Sequence, residues 1–118
     1  MNSIDEFCRV ADSMAMVQSF CFEHRYDIIE EEIVNVLTMI FAPEICYTGE
    51  RLLKAEFFGV CEFESGDLFR LIFPPLVSIE DISYRGLENI HYLVKEAEDH
   101  FSFMCDRIEF EITEGMIK

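Results

Sequence analysis

Ile33-Val34-Asn35-Val36-Leu37-Thr38-Met39-Ile40-Phe41 is the stretch on which the fold turns, and it reads two ways. As a helix, Asp27 and Glu30 form a capping box and Glu30, Glu31 and Glu32 fill an acidic first turn. Ile29, Ile33, Val36, Leu37 and Ile40 then share one face, and Pro43 follows the end. As a strand, the same residues are rich in β-branched side chains and apolar on both alternating faces, as a central strand covered on both sides requires. Periodicity alone leaves both open, with the composition leaning to strand.

Working toward the N-terminus, Ser3 and Glu6 make a capping box, with Phe7, Val10, Ala11, Met14 and Val17 on one helical stripe. A helix over residues 4–18 is expected. Everything beyond Pro43 reads as sheet. Over 53–64 the odd positions Leu53, Ala55, Phe57, Cys61 and Phe63 are apolar or small, while Lys54, Glu56, Glu62 and Glu64 are charged. Phe58 and Val60 interrupt that charged face. Further strands are expected over 68–73, 79–85, 90–96 and 101–112, with Gly49, Gly66, Pro74-Pro75, Gly86 and Asn89 as punctuation. In the last strand Phe101, Phe103 and Cys105 hold one parity and Ile108, Phe110 and Ile112 the other, so a bulge or turn belongs near Asp106-Arg107. The expected fold class is α+β: one domain over 1–118, with an N-terminal helix packed on an antiparallel sheet of about five or six strands.

The chain has 118 residues, 51% of them hydrophobic and 14% aromatic, which suits one compact core. It carries 24 acidic against 9 basic side chains, a formal net charge of −15. Phosphate contacts need Lys and Arg, so a nucleic-acid partner is not expected, nor is docking on anionic membranes. No secretory signal is expected, because Asp5, Glu6, Arg9 and Asp12 precede any apolar stretch. The longest apolar run covers roughly half of what a membrane crossing needs. Cys8, Cys21, Cys46, Cys61 and Cys105 include no C-x-x-C pair, and free thiols, mostly buried, in a reducing cytoplasm are expected.

No phosphate loop, H-E-x-x-H or nucleophile elbow is present. His91 reads as a strand-face residue, and His100 sits beside Glu96, Glu98 and Asp99, which would raise its pKa. The nearest approach to an enzyme site is Cys21, His24 and Asp27, the basis for a small metal- or thiol-dependent hydrolase. Paired acids such as Glu62 with Glu64, or Glu109 with Glu111, read as solvated faces in so acidic a chain. No catalytic residue, metal or cofactor is expected. The charge itself is more telling: a small domain needs a net charge of only ~2 to 8 for solubility. The surplus suits a surface that steers a basic partner.

Several strings resemble landmarks of β-rich bacterial immunity proteins of contact-dependent or polymorphic toxin systems. They are Phe20, His24-Arg25-Tyr26-Asp27, Leu53-Lys54-Ala55-Glu56-Phe57-Phe58-Gly59-Val60, Gly86-Leu87-Glu88-Asn89-Ile90 and Phe101-Ser102-Phe103-Met104-Cys105. The resemblance implies a non-enzymatic cytoplasmic protein that binds the C-terminal domain of a cognate toxin, often a basic nuclease. It also favours strand for 33–41. No site residue carries over from it.

The expected function is therefore an acidic immunity protein that occludes its toxin. The expected partner-binding residues are Glu30, Glu31, Glu32, Glu62, Glu64, Glu96, Glu98 and Asp99, with Phe58 as an apolar anchor unless the N-terminal helix covers it. An acidic adaptor, or a nucleic-acid mimic restraining a DNA-binding protein, is the alternative reading.

Overall fold

A computed structural model describes residues 4–14, 16–43, 52–66, 77–88, 90–97 and 101–113. Along the chain run α1 (Ile4–Asp12), β1 (Met16–Asp27), β2 (Glu32–Ala42), β3 (Leu52–Phe58), β4 (Cys61–Ser65), β5 (Val77–Asp81), a 3-10 turn (Ser83–Arg85), β6 (Tyr92–Glu96), β7 (Phe101–Cys105) and β8 (Arg107–Thr113). Among the described residues these strands form two antiparallel four-stranded sheets, ordered β1-β2-β3-β8 and β4-β7-β6-β5. The expectation of an α+β domain with about five or six strands is corrected: the described residues are mostly β, with eight strands and one short α-helix among them.

One of the unexpected strands is β1, and two more arise because two expected strands each break at one residue. The segment 53–64 does not run as one strand; it breaks at Gly59, whose φ of +72° is open to glycine and strained for other residues. The segment 101–112 breaks at Asp106, where the parity flip placed a turn. Each segment thereby contributes to both sheets, β3 pairing with β8 in the first and β4 with β7 in the second. The two breaks lie side by side. Gly59 N–H donates to the Asn35 carbonyl at 2.8 Å, and Asp106 N–H donates to the Phe58 carbonyl at 2.8 Å.

The N-terminal helix is shorter than its apolar stripe suggested. It closes at Asp12, where Ser13 N–H donates to the Val10 carbonyl at 3.0 Å and the Ser13 hydroxyl donates to the same oxygen at 2.6 Å. Val17, expected on the helix, instead lies in β1 opposite Phe41. Ser3 of the expected capping box, the expected strand 68–73 and the punctuation at Gly49, Pro74-Pro75 and Asn89 fall outside the described residues.

Residues 33–41 are strand, within β2. The Asp27 carboxylate accepts from the N–H groups of Ile29 at 2.9 Å and Glu30 at 3.1 Å. That is the contact a helix cap would make, but here it closes the turn from β1 into β2, with Glu31 at φ +55°.

The core lies on one face of the first sheet and is dominated by phenylalanine. Leu37 faces Phe57, Met39 faces Ala55 and Phe41 faces Leu53 in register, and all six are fully buried. Phe7 of α1 sets its ring 6.0 Å from Phe41, 6.2 Å from Phe57 and 5.2 Å from Phe110. Phe103 of the second sheet lies edge-on to Phe57 at 5.0 Å and stacks on Phe63 at 5.9 Å, so aromatic contacts tie helix and both sheets together.

Two predictions follow from this geometry. Replacing the buried ring in Phe57→Ala removes the contact shared by both sheets and should cost about 3–5 kcal/mol, read from denaturant unfolding. Gly59→Ala should cost more than Gly86→Ala. Both have positive φ, worth about 1–2 kcal/mol of strain for alanine, but a Cβ at 59 meets Asp106 Cβ at 3.1 Å and one at 86 meets nothing within 4 Å. Equal losses at the two positions would show that the corner is not tightly packed.

Candidate interaction site

β1 and β2 pair over their whole length, from Met16 opposite Ala42 to Asp27 opposite Glu32. β3 accompanies β2 only from Phe41 back to Val36, because the chain turns away at Gly59. Residues 24–27 and 32–35 therefore continue past the sheet as a two-stranded arm. Its root is fixed by the Gly59–Asn35 backbone bond and by the Asn35 amide, 3.4 Å from the Val60 carbonyl. At its end Tyr26, Ile28, Ile29 and Ile33 are 63%, 79%, 89% and 68% exposed, beside exposed Glu30, Glu31 and Glu32.

A cleft of about 650 Å3 follows β2 beyond the point where β3 leaves it. The arm contributes Tyr26, Asp27, Glu30, Glu32 and Ile33; the corner contributes Phe58, Gly59 and Val60; Glu88, Ile90, Asp106 and Arg107 close the far side. The two arginines that line it, Arg25 and Arg107, are both engaged. Arg25 donates to Glu23 at 2.7 Å and to Glu56 at 2.8 Å, and these bonds, Glu56 first, push its guanidinium above its ordinary pKa. Arg107 lies 4.1 Å over the Phe58 ring and 3.3 Å from the Glu109 carboxylate. At the corner His91 Nδ1 is 2.6 Å from the Asp106 carboxylate and 3.2 Å from its carbonyl. Both partners are acceptors, so Nδ1 carries the hydrogen.

The expected partner-binding residues are distributed unevenly over this surface. Glu30, Glu32 and Phe58 line the same cleft, and Glu31 sits at the end of the arm. Glu62 is exposed in a second cleft of about 540 Å3, shared with Phe22, Glu23 and His24 on the arm side. Glu64 is exposed farther along β4, opposite Ser102. Glu96 is different: at 2% exposure it is interior, opposite Val77 and on the same face as Val94, so its carboxylate is withdrawn from any surface a partner meets. Glu98 and Asp99 lie outside the described residues. Phe58 is half-buried under Arg107, on the face of the sheet opposite the one where Phe7 packs, so the helix does not cover it and it is no free anchor.

The exposed apolar group at the arm was missed by the sequence reading, whose helical alternative set Ile29 and Ile33 on one apolar face and whose strand alternative covered Ile33 on both sides. Its signal was Ile28-Ile29 held between Asp27 and Glu30-Glu31-Glu32, an apolar pair inside a turn. The hydrolase reading fails on geometry. Cys21 and Asp27 pair with Thr38 and Glu32 on one face of β1, whereas His24 pairs with Asn35 on the other. Among the described residues no group of three or more His, Cys, Asp or Glu side chains is placed to hold a metal ion. His100 and Cys46 lie outside the described residues.

The described cysteines differ sharply. Burial, followed by the nearby Asp106 carboxylate, pushes the Cys105 thiol up to about 12. Burial and Glu62 raise that of Cys61, and burial and Asp12 that of Cys8, while Cys21 is exposed. Alkylation of the native protein at neutral pH should therefore modify Cys21 well before Cys105, with peptide mass mapping as the readout. Equal rates would mean that the core around Cys105 opens freely.

No helix among the described residues is long and apolar enough to cross a membrane. No curated protein and no solved structure matches the chain. The family described as Immunity protein PIM8 does, over residues 1–112. With almost the whole length so matched, this chain belongs to the PIM8 immunity proteins, an antitoxin family whose role implies a cognate toxin as partner.

Proposed function

We propose that the protein neutralises a basic, nuclease-type toxin domain of a contact-dependent or polymorphic toxin system. It does so stoichiometrically and without catalysis, in the cytoplasm where such a toxin meets its substrate. Carboxylates take the positions that substrate phosphates would occupy on the toxin, covering its substrate-binding surface. Glu30, Glu31 and Glu32 on the arm and Glu62 and Glu64 on β4 carry this role, with Glu98 and Asp99 adding to the charge. Phe58, pinned under Arg107, serves as part of the cleft wall.

One observation supports this reading above the others: the cleft's positive charge is already spent internally. Arg25 is taken by Glu23 and Glu56, and Arg107 by Glu109 and the Phe58 ring, while Glu30, Glu32 and Glu88 remain exposed around the same cleft. An arriving partner meets negative potential. On a chain with a net charge of −15, that potential accelerates association with a basic surface and falls off with salt.

The test is association kinetics with the cognate toxin domain. Reversing the arm charges in Glu30→Lys, Glu31→Lys, Glu32→Lys should slow association about ten-fold or more at low salt and flatten its salt dependence. An unchanged on-rate would contradict electrostatic steering. In a nuclease assay the unaltered protein should abolish cleavage at one equivalent.

A further inference from the structure

We propose that the end of the β1–β2 arm is an apolar plug that seats in an apolar recess, rimmed by lysine or arginine side chains, on the toxin domain. This rests on the function proposed above and names the contact that holds the complex once charge has brought the partners together.

Tyr26, Ile28, Ile29 and Ile33 are all more than half exposed, and they fall within a single turn and the residues flanking it. Their exposure is not needed to form the turn. The Asp27 carboxylate closes it through the N–H groups of Ile29 and Glu30, a contact indifferent to the side chains at 28 and 29. Tyr26 and Ile33 face each other directly across the strand pair, and both reach the cleft, so the apolar end runs without a break into the cleft wall. An exposed apolar cluster of this kind on a small domain marks a surface that another molecule covers.

Charge selects the occupant. A second copy of the chain would set Glu30, Glu31 and Glu32 against another net charge of −15. An anionic lipid surface or a nucleic acid meets the same repulsion. A basic protein surface with an apolar centre satisfies both halves of the arm at once, the aliphatic middle and the acidic border, which is the layout of a binding hot spot.

The experiment uses the full chain and its cognate toxin domain, with Ile28→Ser, Ile29→Ser and Tyr26→Ser made singly. All three positions are exposed, so unfolding midpoints should stay at the parent value. Each variant should speed dissociation about ten-fold or more while the association rate stays within about three-fold. If Ile28→Ser and Ile29→Ser leave dissociation unchanged while the arm charge reversals still slow association, the plug is refuted and the electrostatic function stands. Failure of the toxin domain to bind the parent protein refutes both. A parent dimer in sedimentation that Ile29→Ser makes monomeric would give the surface to a second copy instead. Flotation of the parent, but not of Ile29→Ser, with phosphatidylglycerol vesicles would give it to a membrane.

Discussion

The corner formed by Gly59 and Asp106 sets the rest of the architecture. Two strands paired in one sheet leave it together and pair again in the other, and their parting is held by two short backbone bonds, Gly59 to Asn35 and Asp106 to Phe58. Because β3 departs at that point, β2 loses its neighbour, and the strand pair beyond becomes an arm instead of sheet. The cleft is the space that departure leaves. The fold and the surface proposed for binding thus have one origin, a glycine in a conformation that other residues adopt only under strain.

Around this corner the proposed function separates two tasks, encounter and hold. On that proposal the exposed carboxylates on the arm and on β4 set the long-range field that governs encounter. The short-range hold has to come from burial, since exposed ion pairs contribute little once formed. Covering an isoleucine or tyrosine contributes about 1.5–3 kcal/mol, so a few such residues outweigh many rim charges. The phenylalanine core that joins Phe7, Phe57 and Phe103 anchors the sheet from which the arm extends, and an arm held at its base lowers the ordering cost of any contact it makes.

Much of the fold was legible, and the failures have particular causes. Alternation over Leu53, Ala55 and Phe57 gave β3 and its buried face, and the parity flip between Cys105 and Ile108 located the break at Asp106. Gly59 carried the same information for the partner segment, but alternation resumes so soon after it that one strand and two look alike. Asp27 offered its carboxylate to the next N–H groups in either interpretation, so helix cap and hairpin turn could not be told apart locally. β1 went unassigned because its first residues complete the helical stripe and its arm half mixes Glu23, His24 and Arg25 with Tyr26. Of the candidate site, charge alone singled out the acids that the structure places exposed on the arm. Glu96 is interior, a placement its alternation with Val94 carried and its charge obscured, and the exposed apolar end of the arm was missed because isoleucine reads as core.

Amide hydrogen exchange of the protein, free and bound to its cognate toxin domain, tests most directly whether the arm and cleft are the binding face. Strong new protection over residues 24–34 and 58–61, with strands β5 and β6 themselves unchanged, is the predicted result. Protection confined to β5 and β6, with exchange in the arm as fast as in the free protein, would contradict the account.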